Sequence, residues 1–460
     1  MEAPPEGLSA ENLLGPDAAA AMRRADRFLR ERDTEELLEL VGTRRPELAA
    51  PDRMPDKEHF PASYGGGGGC QHDLLAGRGM FYVTEDGRVM LDCTSGHYQM
   101  TWGYNHPALV AAAREAMDRG MVWDNHSNIP GVPVKRLAER LIELGAEAGL
   151  ERALLGICTG SVACSTALKI MLARHGEHHD RAHEAPPVMV ALPGNYHGTD
   201  MVAQTMRGMW EGLLAGLETV RVEPNDGAGL REVFSDFGSR VAGFWAEPVM
   251  MNREALVVEA DYLRLARELC TEHDALMALD EIQTGFWYPE VLMFRRLGLE
   301  PDMVVVGKGM TAGFHPLSGL LYRPELDILE QYDAISTNGN ASLAAYVALS
   351  NLHLIERHGA RMGRLAESHY AGLRELAGEF PELIEAVNGD GFLSGLRFTD
   401  RRDALGFHRS AVEAGLWLRA HAYHPGHRTV LMKYPLVVER TVVDCVLDRL
   451  RALLSETPWR

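Results

Sequence analysis

An apolar run, Leu276-Met-Ala-Leu, ends in the acids Asp280 and Glu281. A second run, Met303-Val-Val-Val, leads into Lys308, which stands between Gly307 and Gly309, 28 positions after Asp280. Both runs read as strands, and in parallel sheets ligands sit beyond the carboxyl ends of strands, so Asp280 and Lys308 are expected to face one crevice. A lysine of lowered pKa can form an imine with an aldehyde. A carboxylate can pair with a ring nitrogen and keep it protonated, which makes the ring an electron sink. Flanking glycines let the backbone approach a bound group and let the lysine swing. Alone, Lys308 would be a surface lysine and Asp280 a turn cap. Their pairing on two successive strand ends points to pyridoxal 5′-phosphate (PLP), carried by Lys308 as a Schiff base.

Other residues could complete such a site. Thr159-Gly160-Ser161 follows a strand and opens a helix at Ala163, and a helix N-terminus offers N–H groups and positive dipole to a phosphate. Ser161 also suits an ordinary N-cap. Tyr196 offers a flat ring to stack on a pyridine, or a core aromatic. Gln283 could donate to a phenolic oxygen, or be a solvated loop amide. The histidines His175, His178, His179 and His183 crowd a polar segment after a helix and are expected to be solvated, so no metal site is assigned.

These residues need a frame. Asp17 to Val41 read as one or two helices, broken by Pro46, Pro51 and Pro55, and the run Gly65 to Gly69 reads as a loop. Met80 to Asp92 form a hairpin turning at Asp86-Gly87, and His106-Pro107 opens an amphipathic helix through about Met117. From residue 134 helices (Val134–Leu144, Ala163–Ala173, Gly229–Asp236, Tyr262–Glu272) alternate with strands (Ala153–Cys158, Val188–Leu192, Thr219–Val222, Val241–Pro248, Leu276–Asp280, Met303–Gly307, Leu317–Tyr322). Strands this apolar belong in a parallel sheet covered by helices, an α/β arrangement. A helix from Ala344 to His358 leads into strands Phe392–Phe398, Leu416–Arg419 and Val430–Met432 and a helix Glu439–Ser455, read as a smaller α+β domain. The expected division is an N-terminal segment 1–105, a large domain 106–342 and a small domain 343–460.

The formal net charge of −19 repels phosphate backbones and speaks against nucleic-acid binding. Six scattered cysteines without a Cys-x-x-Cys pair speak against structural zinc and a disulfide framework, and fit a reducing compartment. No signal peptide or membrane-spanning stretch is visible, so a cytoplasmic location is expected.

Asp280-Glu-Ile-Gln-Thr-Gly, followed by Pro301-Asp and then Lys308-Gly309, resembles the signature of the class III aminotransferases. Asp86-Gly87, Gly103-Tyr-Asn-His-Pro107, Thr159-Gly160-Ser161, Tyr196-His197-Gly198, Glu247-Pro248 and Ser336-Thr-Asn-Gly-Asn340 resemble further family motifs in the family's order, from about residue 75 to 455. The resemblance implies a fold type I PLP-dependent transferase: an α/β protein with a mainly parallel sheet in a large domain and a smaller α+β domain. It implies a homodimer and an enzyme that moves an amino group between an amine or amino-acid donor and a carbonyl acceptor. Lys308 and Asp280 would be catalytic. Gly160, Ser161, Tyr196, His197, Glu247, Gln283 and one of Ser336 or Thr337 would bind the cofactor, with the Ser336–Asn340 loop reaching the partner subunit's phosphate. His97, Tyr98 and Arg419 would meet the substrate, Arg419 through a carboxylate.

The chain departs from the family pattern at Val162, Cys164 and Ser165, where Glu and Asn are usual. It has Trp287-Tyr-Pro-Glu290 in place of Gly-Arg-Thr-Gly, and Lys433 before Tyr434-Pro435. These departures, with residues 287–290 and 421–428 foremost, point to a specialised biosynthetic amine or sugar substrate. They also leave room for an aminomutase, a decarboxylase, or an elimination or carbon–carbon bond-forming enzyme on the same fold. A metal-dependent hydrolase built on the histidine cluster and a non-catalytic scaffold are the readings from other classes.

Overall fold

The structure is a computed structural model that describes residues 8–51, 73–121, 129–178, 185–210, 216–420 and 426–460. Pro55, the glycine run 65–69, Cys70, His179, His183, His421 and His424 lie outside them, as does the side chain of His178. The chain forms two compact units, one of residues 1–97, 102–106 and 365–460, the other of 98–101 and 107–364.

The second unit is built on a seven-stranded sheet in the order Arg152–Ile157, Ser318–Tyr322, Met303–Val306, Leu276–Asp280, Val241–Ala246, Val188–Ala191, Glu218–Arg221. These strands are short apolar runs, most of them wholly buried, as expected where helices cover both faces. Ser318–Tyr322 pairs antiparallel with both neighbours, and every other pairing of neighbours is parallel. Six strands therefore run one way and one against them. The exception has a simple cause: the chain returns from Val306 to Ser318 through one short helical turn, Lys308–Thr311, too little for a crossover. Helices Val132–Gly145, Gly160–His178, Gly227–Phe237 and Ala260–Glu272 lie where alternating periodicity predicts them. Ile157, Leu168, Met171, Trp245 and Val305 belong to one buried cluster between sheet and helices.

The helix expected to stop at His358 continues from Ser342 to Glu379 and contributes to both units. Gly359, which resembles a helix terminator, lies inside it because Pro289 packs close: a Cβ at Gly359 would stand 3.3 Å from the proline ring.

The first unit carries two four-stranded sheets. The hairpin Phe81–Thr84 and Val89–Asp92 turns at Asp86-Gly87 as expected, and Leu416–Trp417 adds alongside it in parallel. A strand at Ile384–Asp390, not anticipated from sequence, pairs with Leu393–Phe398. The N-terminal helices Pro16–Arg30 and Thr34–Leu40 are integral to this unit. Arg449, from the last helix Arg440–Glu456, donates to Leu38 O at 2.7 Å and to Val41 O at 3.3 Å. Gly42 meets Ala414 so closely that a Cβ would fall 2.7 Å from its carbonyl oxygen. Among the described residues no helix is long and apolar enough to cross a membrane.

Candidate active site

The common direction of six strands fixes what lies at one edge of the sheet. At or just beyond their carboxyl ends stand Thr159-Gly160-Ser161, Tyr196-His197, Glu247, Asp280 and Lys308. The strands ending at Asp280 and Val306 are direct neighbours, with Asp280 opposite Val305 and Glu281 N–H bonded to Val305 O at 2.9 Å. Sequence spacing had suggested that adjacency, and the register provides it.

Asp280 is 2% exposed and both its oxygens are engaged. Oδ1 accepts the Ile282 N–H at 2.9 Å and Oδ2 pairs with His197 Nδ1 at 2.8 Å. Cys164 Sγ lies 3.5 Å from the same Oδ2. Burial works against a charged His197, but the hydrogen bond and charge of Asp280, with the charge of Glu247, outweigh it and raise His197 above its ordinary value. Beside it, Glu247 accepts the Tyr196 N–H at 2.8 Å and the Gln283 amide at 3.2 Å. Burial pushes Glu247 up to about 7, with the Asp280 charge adding to the rise and His197 opposing it.

Lys308 is half-buried and its backbone is strained, with φ at +39°, a region non-glycine residues rarely occupy. Several contacts hold it there. Asn351, fully buried on the long helix, donates through Nδ2 to Gly309 O at 2.8 Å and Met310 O at 3.0 Å. Trp287 packs on Gly309, where a Cβ would fall 2.3 Å from its ring, and Ser318 Oγ occupies the space a Cβ on Gly307 would need. The flanking glycines are thus required by packing from inside the protein, whatever binds in front of them.

Glu281 orders the loop that follows. Its carboxylate accepts from Met293 N at 2.6 Å, Phe294 N at 2.7 Å and Thr284 Oγ1 at 3.0 Å. Burial pushes it up to about 7 against those three donors. The divergent segment Trp287–Glu290 hangs between this anchor and Arg295, which bonds Glu290 O at 2.6 Å.

The remaining residues fall as follows. Ser161 Oγ accepts the Thr199 N–H at 3.0 Å, and Gly198 must be glycine there, since its φ is +127° and a Cβ would press on Ser161. Arg207 stands over the Tyr196 ring at 5.6 Å. Ser336 is half-buried and tied to Gly156 O at 2.8 Å, and Thr337 is exposed with its carbonyl 3.5 Å from Cys158 Sγ. In the first unit, the Arg419 guanidinium meets the exposed His97 imidazole at 2.9 Å. In the second, Tyr98 is buried. His175, of the histidine cluster, bonds Ser239 O at 3.1 Å and is buried rather than solvated. Cys164 and Asn351 were not foreseen as site residues. Cys164 stood out only as a departure from the family pattern, and Asn351 gave no signal.

This donor set suits PLP. One edge presents a buried carboxylate, whose two oxygens can accept more than the three donors already on them, a lysine on the neighbouring strand end, and the start of a 19-residue helix whose first amides have no partner within it. When bound, PLP supplies an electron sink for the substrate carbon next to the amine.

The family model for class III aminotransferases matches residues 70–454. Among curated proteins, an ornithine aminotransferase from Emericella nidulans is 28% identical over 395 residues, 81% of this chain and 84% of its own length. An acetylornithine aminotransferase from Prochlorococcus marinus is 27% identical over 401 residues, 83% of this chain and 91% of its own. Among solved structures, a transaminase from the marine bacterium Virgibacillus superposes with a TM-score of 0.77 at 20% identity, covering 87% of this chain and 97% of that one. The ornithine aminotransferase from Toxoplasma gondii gives 0.76 at 23% identity, covering 87% and 92%. The α/β fold is accordingly that of the fold type I PLP enzymes, and the chain belongs to the class III aminotransferases, which use PLP to move amino groups between amino acids and keto acids.

Proposed function

We propose that Lys308 carries the cofactor and acts as the general base and acid of the reaction, with Asp280 as the partner of the cofactor's ring nitrogen. The observation that carries this is the placement of Asp280 and Lys308 at the carboxyl ends of two adjacent parallel strands, with Glu247 and His197 on the next two strand ends. Lys308 Nζ takes the proton from the donor's reacting carbon and returns it at the neighbouring position. Asp280 holds the ring-nitrogen proton, and His197 and the Ile282 N–H hold Asp280. Tyr196 would face the ring, Gln283 would donate to its phenolic oxygen, and Gly160 and Ser161 would offer the helix N-terminus to the phosphate. Ser336 or Thr337 reaches the phosphate of a second copy in a cytoplasmic homodimer.

On the substrate side, Arg419 grips a carboxylate, with His97 and Tyr98 shaping the approach. The curated relatives are named for ornithine and acetylornithine. Trp287-Tyr-Pro-Glu290 supports a different, specialised biosynthetic donor. Absorbance of the purified protein with PLP, before and after candidate amines, tests the whole reading. A lysine-bound cofactor band that amines convert to the pyridoxamine form is expected, and its persistence in Lys308→Ala would overturn the role of Lys308. Activity confined to ornithine with 2-oxoglutarate would overturn the specialised donor.

A further inference from the structure

We propose that Cys164 is a positioning residue for the cofactor's ring nitrogen: its thiol, donating to Asp280 Oδ2, sets how strongly that carboxylate draws the proton it shares with the ring. The inference rests on the reading of Asp280 as the ring-nitrogen partner.

Cys164 lies in the second turn of the helix Gly160–His178, fully buried, with Sγ 3.5 Å from Asp280 Oδ2, a normal reach for a sulfur donor. The same oxygen pairs with His197 Nδ1 at 2.8 Å, and the other oxygen takes the Ile282 N–H at 2.9 Å. Burial, and then the neighbouring Asp280 charge, hold the thiol far above its ordinary value, so the sulfur keeps its proton and has it to give. Thiols are weak donors, between an alkyl group, which gives nothing, and a hydroxyl. Each donor on a carboxylate disperses its charge and leaves it less able to pull on a further proton. A cysteine here is therefore an intermediate setting.

The holoenzyme reconstituted with ring-15N-labelled PLP reads the nitrogen directly, and Asp280→Asn is the reference. Asp280→Asn is expected to move the 15N resonance toward that of neutral pyridine. Cys164→Ala, without a donor, should leave Asp280 the stronger partner of the ring N–H and move the resonance away from that position. Cys164→Ser, a stronger donor, should move it the opposite way. If Asp280→Asn leaves the resonance in place, the assignment of Asp280 fails and the inference with it. If Asp280→Asn moves it while both Cys164 variants match wild type, or both move it the same way, the inference alone fails.

A second readout needs no cofactor and no folded Cys164 variant but serine. The infrared S–H stretch that Cys164→Ser removes from the apoprotein should shift toward the free-thiol position in Asp280→Asn, and an unmoved band would overturn the hydrogen bond. Cys164, His197 and Asp280 also place one potential ligand atom each within 4.8 Å of one another. Stoichiometric metal in the purified protein, lost in Cys164→Ser, would likewise overturn the proposal.

Discussion

Trp287 packs so close to Gly309 that a single methyl group on the glycine would fall 2.3 Å from the indole ring. Gly309, the residue that follows Lys308, is thereby clamped by a residue of the segment Trp287–Glu290. Gly309→Ala should destabilise the protein by about 1–3 kcal/mol through overpacking. It should also lower PLP affinity, because the clash can be relieved only by moving Trp287 or the Lys308 backbone. Denaturant unfolding and a PLP titration check the two effects, and unchanged values for both would refute the clamp.

Asn351 holds two backbone carbonyls next to Lys308 from within a fully buried position. Asn351→Leu keeps the number and branching of side-chain heavy atoms and removes both N–H donors, leaving Gly309 O and Met310 O without that partner. A loss of roughly 1–3 kcal/mol of stability is expected. Turnover should fall more than substrate affinity, since the strained Lys308 backbone is what relaxes. A variant with wild-type kcat would show that Asn351 does not position the lysine.

Lys308→Ala should lower transamination by at least about 10²–10⁴-fold, the range for a lost general acid–base group, while the apoprotein keeps its unfolding midpoint. Lys308 carries no part of the core, so a large drop in midpoint would mean that its strained backbone is tied to folding.

Glu281 gives a pH prediction with a definite sign. Its folded value, about 7, stands above the ordinary 4.5, so the folded state binds the proton more tightly than the unfolded chain. Its contribution is fully present below about 4.5 and is lost as pH rises through about 7. The unfolding free energy of wild type relative to Glu281→Gln should fall by roughly 3 kcal/mol across that window. A difference independent of pH, or one that grows with pH, would place Glu281 as a carboxylate throughout.

Much of the site was legible because strand ends announce themselves. An apolar run stopping at Asp280, and another leading to Lys308, carry length, burial and terminus in the same few residues. Direction was not legible: Ser318–Tyr322 is as fully buried as the central strands that run the other way, and only the short link from Val306 reverses it. The strand Ile384–Asp390 hid behind Asn388, Gly389 and Asp390, residues that favour turns, because much of it is only partly buried. The helix ending at Glu379 hid behind Gly359, whose reason is a distant proline. Cys164 meets Asp280 across 116 positions, and Arg419 meets His97 across 322. No local pattern encodes such meetings, since they follow from how helices and strands are stacked.

The uniform direction of six strands has a further consequence at their other end. There Asp302 accepts the Met277 N–H at 2.7 Å, pairs with Arg267, and stands 3.4 Å from Arg323, tying the starts of two central strands together. Along these two strands ionic stitching stands at one terminus, and Asp280 and Lys308 stand at the other. Such a division makes the enzyme evolvable: a lineage can rewrite the loops beyond Glu281 for a new amine while the foundations under them keep the same residues.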